Sequence, residues 1–301
     1  MSGAAQPGTR ARFVTGALLL ALPFVLALLG PLLAGEPAAR GASFTLGGPS
    51  DGWAAQWFGT DFVGRDVWRQ VLLGGRSVVL VALAATVLAY AVALPVGFAA
   101  ALTRRTWPEE LLMRPLDVLL AVPSLLAVLL VATVFAPGPV GLAVLVAVVN
   151  VPDAARIVRS TAAEIAARPA VEALRMQGES RRRIAMGYVG RSALRTLAAD
   201  AGVRMTGVLY LVATAAFLGV GVAPDAADWA VMVDRNRTGL FVQPWAVVVP
   251  ALLIVLLSMG TNLLFDAALQ RGSRHTTRTE QHTKQRTGPP AEPGGRKGNR
   301  S

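Results

Sequence analysis

Val171-Glu172-Ala173-Leu174-Arg175-Met176-Gln177-Gly178, with Ile184 six residues past the glycine, sits in a polar interval between two apolar runs. Val140 to Val151 precedes that interval and Val203 to Val222 follows it. Between Asn150 and Ala201 lie Arg156, Arg159, Arg168, Arg175, Arg181, Arg182, Arg183, Arg191 and Arg195. An arginine-rich connection between membrane spans belongs on the cytoplasmic side. Its length, helical composition and single interior glycine in the quoted stretch point to a docking element. Gly178 can take the positive φ of a tight helix–helix turn. Glu172 offers a charged contact on a helix whose Ala173, Leu174 and Met176 suit a groove. The other reading is an amphipathic helix whose arginines face anionic lipid. These residues alone leave both open.

Composition narrows the class. The chain has 301 residues, of which 53% are apolar and 16% charged, against about 25% charged in a typical soluble protein. Mean hydropathy is +0.51. This is the profile of a multi-span membrane protein. The net charge of +11 falls between apolar runs and in the tail, as inward-facing positive charge does, and forms no basic face for nucleic acid. There is no cysteine, so disulfides, thiol chemistry and cysteine metal sites are excluded. Both histidines, His275 and His282, lie in the C-terminal tail, which removes a histidine base or metal cluster from the membrane part. The two lysines, Lys284 and Lys297, precede Gln285 and Gly298, so no Gly-Lys-Ser/Thr phosphate loop exists. ATP-driven transport would need the ATPase on another subunit.

Residues 1–12 read as a cytoplasmic tail and 13–33 as the first span, long enough to cross at about 1.5 Å per residue. The run exceeds the roughly 7–15 apolar residues of a cleaved signal peptide, so an uncleaved span is expected. Residues 34–76 read as an extracellular loop holding Gly59-Thr60-Asp61-Phe62-Val63-Gly64-Arg65-Asp66, preceded by Trp53 and Trp57. Thr60 or Asp61 is expected to cap a short interfacial helix bearing Val67, Trp68, Val71 and Leu72. Asp61 and Arg65, four apart, suit a structural ion pair. Val78 to Leu102 forms the second span and Leu111 to Phe135 the third, with Arg114 and Asp117 near its inner end as a pair or snorkelling to the interface. The fourth, Val140 to Val151, is expected to continue as helix to Arg159 despite Pro152. The fifth, Val203 to Val222, is flanked by Asp200 and Arg204 and rich in small residues that permit close helix packing. Pro224 to Pro244 is either a mouth loop or a plain connector. Trp245 to Phe265 is the sixth span, with Asn262 and Asp266 at its inner end, and residues 270–301 read as a disordered basic tail. Six spans put both termini inside. Arg40, Arg65, Arg69, Arg76, Arg235 and Arg237 alone fall outside, out of 29 basic residues.

The motifs resemble those of ABC-importer permeases. Glu172-Ala173, Gly178 and Ile184 match the family's "EAA" loop, taken here as 160–200. The family's Leu-Pro is Gly190-Arg191 in this chain, which leaves open whether the helix breaks after the loop. Gly59, Thr60, Asp61, Gly64, Arg65 and Asp66 match a signature of the second (C-type) permease of dipeptide, oligopeptide and nickel importers. Met113-Arg114-Pro115-Leu116-Asp117, with Pro123-Ser124 beyond, resembles the family's Met-Arg-x-x-Asp and Pro-Ser. Phe217-Leu218-Gly219-Val220-Gly221, Trp229 with Met232 and Asp234, and Asn262 with Asp266 match later motifs in order.

The resemblance implies an all-α type I importer permease, with a five-helix core within residues 77–269 and a peripheral first helix. It implies no catalytic site and no cofactor on this chain, since ATP and Mg would bind a partner ATPase. It gives Glu172, Ala173, Leu174, Gly178 and Ile184 to ATPase coupling and Phe217, Gly219, Gly221 and Trp229 to the pathway or its outer mouth. Implied partners are a second permease, cytoplasmic ABC ATPases and an extracellular solute-binding protein, in a bacterial plasma membrane. The implied cargo is peptide, or nickel or a related small solute. An ion-coupled secondary transporter predicts ionisable residues at mid-membrane, where the second to sixth spans show none. A membrane scaffold makes no prediction about the Glu172–Gly178 spacing.

Overall fold

The computed structural model describes residues 7–36, 40–46, 58–103 and 106–286. Trp53, Trp57, Arg104, Arg105 and the tail beyond Arg286 lie outside them. The described chain is helical: α1 (Pro7–Leu33), α2 (Val67–Leu102), α3 (Thr106–Leu120), α4 (Ser124–Phe135), α5 (Pro139–Ala166), α6 (Pro169–Met176), the single turn α7 (Arg181–Arg183), a π-helical segment Ile184–Val189, α8 (Gly190–Phe217), α9 (Trp229–Asn236) and α10 (Trp245–Arg286).

Five helical stretches are each long and apolar enough to cross a membrane: α1, α2, α5, the π segment with α8, and α10 up to Ala267. The sixth crossing is broken. α3 and α4 meet at an 84° bend, where a single span from Leu111 to Phe135 was expected. Pro123 has no N–H to continue α3 and pushes Val122 out of helical geometry, so α4 restarts at Ser124. The pair must still connect opposite ends of the bundle. α2 finishes beside the 167–183 loop, packing Leu94, Phe98 and Leu102 with Val171, whereas α5 starts at the far end. Met113 packs with Tyr90 and Ala154, and Val128 packs with Leu142 and Val146. α3 thus covers the loop half and α4 the distal half.

The distal core joins Val67, Val71 and Ala82 of α2, Leu142 and Val146 of α5, Val208 and Val212 of α8, and Leu257 of α10. α1 packs at the periphery against α10 and α2, as the first helix was expected to, and contributes Ala27 to this core. Backbones approach closely there: a Cβ on Gly260 would lie 2.5 Å from the Leu20 nitrogen, and one on Gly16 2.7 Å from the Leu264 nitrogen. Small residues make this contact because lipid tails supply no hydrophobic drive between helices.

Three further boundaries differ from expectation. No separate interfacial helix follows the 59–66 motif, because Val67 to Leu72 form the first turns of α2, with Val67, Val71 and Leu72 buried. The fifth span begins well before Val203 and ends at Phe217 instead of Val222. α10 runs to Arg286, so residues 270–286 continue the helix where a structureless tail was expected. Propagating a helix fixes one residue per added hydrogen bond and avoids the cost of a new nucleus.

Candidate functional site

The loop is built on its own small core. α6 starts where Pro169, at the first helical position, follows the extended Arg168. Val171 is fully buried and Ile184 nearly so, packed with Val158, Ala162 and Ile165 of α5 and Ala193 and Leu197 of α8. α6 ends at Gly178, φ +80°. The Gly178 N–H donates to the Arg175 carbonyl at 3.0 Å and the Glu179 N–H to the Leu174 carbonyl at 3.1 Å. This is a Schellman stop, which glycine makes without Cβ strain. Ala173 and Leu174 are half-buried, and Gly178 is exposed. Glu172 and Met176 project outward, and Met176 is 79% exposed. Among the described residues Glu172 pairs with the part-buried Arg175, at 3.2 Å with the carboxylate exposed, a pair too weak to withhold the carboxylate from another protein. Ile184, matched as part of the coupling set, is an anchor beneath the loop.

The loop's second arm is not a separate short helix. α7, the π segment and α8 run on continuously, and the chain passes Gly190-Arg191 without a break. The irregularity falls just before, at the π segment, where the Gly190 N–H reaches the Ala185 carbonyl. Without proline at this point, every residue can donate to the helix ladder.

At the distal end the 59–66 motif ties four segments together. Asp61 is buried and accepts from the Val63 N–H at 3.0 Å, the Arg65 N–H at 2.7 Å and Arg65 Nε at 3.1 Å. The Asp61–Arg65 pair is therefore present and structural, and Arg65 Nη1 also donates to the Asp225 carbonyl at 2.9 Å. Thr60 Oγ1 accepts from the Thr45 N–H and donates to the Ala42 carbonyl. The Phe62 N–H donates to Asn236 Oδ1. Neither Thr60 nor Asp61 is then free to cap α2; Asp66 does so, accepting from the Trp68 N–H at 3.0 Å. Gly59 and Gly64 have φ of +66° and +78°.

The ion pairs of α3 also differ from expectation. Arg114 reaches Glu110 at 2.8 Å, not Asp117. Asp117 pairs with Arg156 of α5 at 2.6 Å, and Glu109 pairs with Arg159. Two bridges thus stitch α3 to α5. Pro123 stands at the α3–α4 bend.

Trp229 does not line a mouth. It is wholly buried, its indole N–H donating to the Val71 carbonyl at 2.8 Å. Asp228 caps α9 through the Ala230 and Val231 N–H groups, which holds Trp229 against Gly74 and Gly75 of α2. Burial pushes the Asp228 carboxyl above its ordinary range, opposed by the Ser77 hydroxyl and then by those backbone donors. Gly219, φ +79°, ends α8 in a second Schellman stop, with Gly219 N–H to the Ala216 carbonyl and Val220 N–H to the Ala215 carbonyl. Gly221, φ +83°, lies against Leu142. Both shape the turn after α8.

Phe217 does face open space. A groove of about 670 Å³ runs between α8, α9 and α10, from Phe217 at one end to Asn262 at the other. Tyr210 and Thr214, four apart on α8, place hydroxyls in an otherwise mostly apolar lining opposite Ser258 and Asn262 of α10, while the Thr206 hydroxyl is buried. Among the described residues no charged side chain lines the groove, and Tyr210 is 62% exposed. The sequence reading missed this pair, although hydroxyls at helical spacing in a small-residue span were its visible signal. Asp266 is exposed beyond the groove.

A six-crossing helical bundle with a groove on one face and a glycine-jointed basic loop at one end is the architecture of a solute-translocating membrane component. The chain belongs to the family of binding-protein-dependent transport system inner membrane components, whose family model matches residues 93–274. It is 29% identical over 255 residues to the probable D,D-dipeptide transport system permease protein DdpC of Escherichia coli, covering 84% of each chain. It is 28% identical over 254 residues to the dipeptide transport system permease protein DppC of Alkalihalophilus pseudofirmus, covering 84% of this chain and 82% of that one. To the glutathione transport system permease protein GsiD of Pectobacterium atrosepticum it is 28% identical over 222 residues, 73% of this chain and 71% of that one. The protein is thus a multi-pass membrane component of a transport system that works with a binding protein.

Proposed function

We propose that this chain is one of two different permease subunits of an ATP-driven importer of short peptides. The observation that carries the reading is an open, uncharged groove in which the hydroxyls of Tyr210 and Thr214 face Ser258 and Asn262. Hydroxyl and amide groups hydrogen-bond a peptide backbone without trapping its charged ends by ion pairing. The dipeptide and glutathione permeases among the relatives point to the same class of cargo. An open groove is half a channel, and a second permease closes it.

The α6 end faces the cytoplasm, with both termini on that side, because the loop's arginines are retained there. A separate ATPase subunit, holding ATP and Mg, docks on Glu172, Ala173, Leu174 and Met176, while Val171 and Ile184 keep the platform stiff. ATP-driven closure of the ATPases draws the two loops together and turns the bundles outward; hydrolysis resets them. A ligand that favours one state by a few kcal/mol shifts such an equilibrium decisively.

The test is co-purification of the ATPase from membranes with wild type and with Glu172→Arg, alongside uptake of radiolabelled dialanine. Retention with wild type, loss with the variant and dialanine uptake by wild type alone are expected. Absence of any ATPase from an intact permease pair would overturn the docking assignment. Failure of the wild-type importer to take up dialanine would overturn the peptide assignment.

A further inference from the structure

Tyr90 of α2 and Asp200 and Arg204 of α8 meet inside the bundle, outside both the loop and the groove, with Asp153 of α5 at the edge, its side chain 57% exposed. The Tyr90 hydroxyl donates to Asp200 Oδ2. Arg204 Nη2 lies 3.3 Å from Asp200 Oδ2, and Arg204 Nη1 lies 4.0 Å from Asp153 Oδ2. Tyr90 is buried, and the Arg204 and Asp200 side chains are only 14% and 22% exposed. The expectation that Asp200 and Arg204 merely flank a span is corrected by the early start of α8, which places both within the helix.

Ionisable groups within membrane helices are costly and mark function by default. Apolar residues of similar size would hold three helices together at least as well, so packing alone does not account for this cluster. Its place in the chain does. α8 is unbroken from the loop, Asp200 and Arg204 lie on it, and the groove begins at Thr206, two residues further on. A displacement of the loop reaches this cluster before it reaches the groove.

We propose that Tyr90, Asp200 and Arg204 are positioning residues that bind α8 to α2 and α5, with Asp153 completing the cluster, so that a push on the loop moves the three helices as one body. Without the cluster, α8 flexes on its own, and ATP turnover no longer depends on the state of the groove. The proposal rests on the importer reading above.

The experiment uses the complete importer in proteoliposomes, with wild type, Tyr90→Phe, Asp200→Asn and Arg204→Lys. ATP hydrolysis is measured with and without binding protein loaded with dialanine, together with dialanine uptake. Tyr90→Phe removes one oxygen, and its complex should assemble normally. Its ratio of stimulated to basal hydrolysis should fall roughly tenfold, the factor equivalent to one hydrogen bond to a charged group. The fall should come through faster basal hydrolysis, while uptake per ATP drops. Arg204→Lys keeps the charge and should retain part of the ratio. Wild-type ratios in Tyr90→Phe and Asp200→Asn would overturn the proposal, as would uptake and hydrolysis falling in equal proportion. Failure of all three variants to assemble would make the cluster a packing device and overturn it equally. If dialanine does not stimulate the wild type, the peptide reading fails. Basal hydrolysis then still decides the cluster's role: faster in the variants supports it, and equal rates overturn it.

Discussion

The contact of Trp229 with α2 makes a quantitative prediction about which atoms hold the distal end together. A Cβ on Gly75 would lie 2.3 Å from Trp229 Cζ2, 2.7 Å from Cη2 and 2.9 Å from the Ala27 Cα. Overpacking of this kind costs about 1–3 kcal/mol, partly offset by the ~1 kcal/mol that alanine gains over glycine within a helix. Gly75→Ala should therefore destabilise by about 0–2 kcal/mol. Trp229→Phe loses the hydrogen bond to the Val71 carbonyl, about 1 kcal/mol, and leaves a gap where the second ring lay, for about 2–3 kcal/mol in all. The phenyl ring has no counterpart to Cζ2 and Cη2, so in the double variant the new methyl enters the vacated space. The double variant should be about 1–2 kcal/mol more stable than the sum of the single effects predicts. Gly74→Ala is the control: its Cβ would lie 2.9 Å from Trp229 Cδ1, 3.2 Å from the Trp229 nitrogen and 3.3 Å from the Asp228 carbonyl carbon, positions for which phenylalanine keeps a counterpart. That pair should be additive. Apparent unfolding temperatures in detergent at one fixed scan rate measure the cycle, a kcal/mol corresponding to about 2–4 °C in a chain of this size. Additivity for Gly75→Ala with Trp229→Phe would show that the indole does not fill the gap above Gly75, and the packing account of Trp229 would be wrong.

Gly178→Ala meets no atom within 4 Å, so its cost is the left-handed backbone alone, about 1–2 kcal/mol; α6 should fray and ATPase retention on co-purification should weaken with little loss of overall thermal stability. An unfolding-temperature drop as large as that of Trp229→Phe would contradict this. Asp228 carries a pH signature. Its carboxyl is raised in the fold by burial, so the neutral form is favoured there. Its stabilising contribution is complete below the ordinary aspartate range near about 4 and is lost as pH rises toward the folded value. Asp228→Asn keeps a good helix cap without that titration, so between about pH 4 and 7 its unfolding temperature should fall less steeply than the wild type's. Parallel profiles would rule out Asp228 as the source.

Features set by local contrast were legible in the sequence. The arginines between apolar runs located the loop, and Gly178 marked its joint, because a positive φ is a property of one residue. The Asp61–Arg65 pair was legible too, although a turn through Gly64, φ +78°, and not a helix brings the two groups together. Choices among equivalent candidates were not. Thr60, Asp61 and Asp66 all suit an N-cap, and what decides for Asp66 is that Thr45, Ala42, Val63 and Arg65 already occupy the other two. Arg114 had two acidic neighbours in sequence, and Asp117 was drawn away by Arg156 from another helix. Apolar counting could not see the α3–α4 bend, because a span and a bent pair have the same composition; only Pro123 hinted at it. Trp229 carries no mark in sequence to tell an anchor from a pore wall. The glycines beside it on α2 do, but they are 154 and 155 positions away.

The two Schellman stops give the fold a mechanical meaning that neither motif has alone. Gly178 ends α6 at the loop and Gly219 ends α8 at the distal turn. Between them the chain is helical from Arg181 to Phe217, crossing the positions where the family pattern has Leu-Pro. A helix interrupted there would let the loop swing while the span stayed still. A continuous helix lowers that freedom, since bending it requires breaking backbone hydrogen bonds inside a bundle that offers no water to replace them. The single weakness is the π segment Ile184–Val189, which lies on the loop side of the Tyr90–Asp200–Arg204 cluster. Any yielding therefore happens before the cluster, at the platform, and whatever motion passes it reaches Thr206, Tyr210 and Thr214 along a stiff strut.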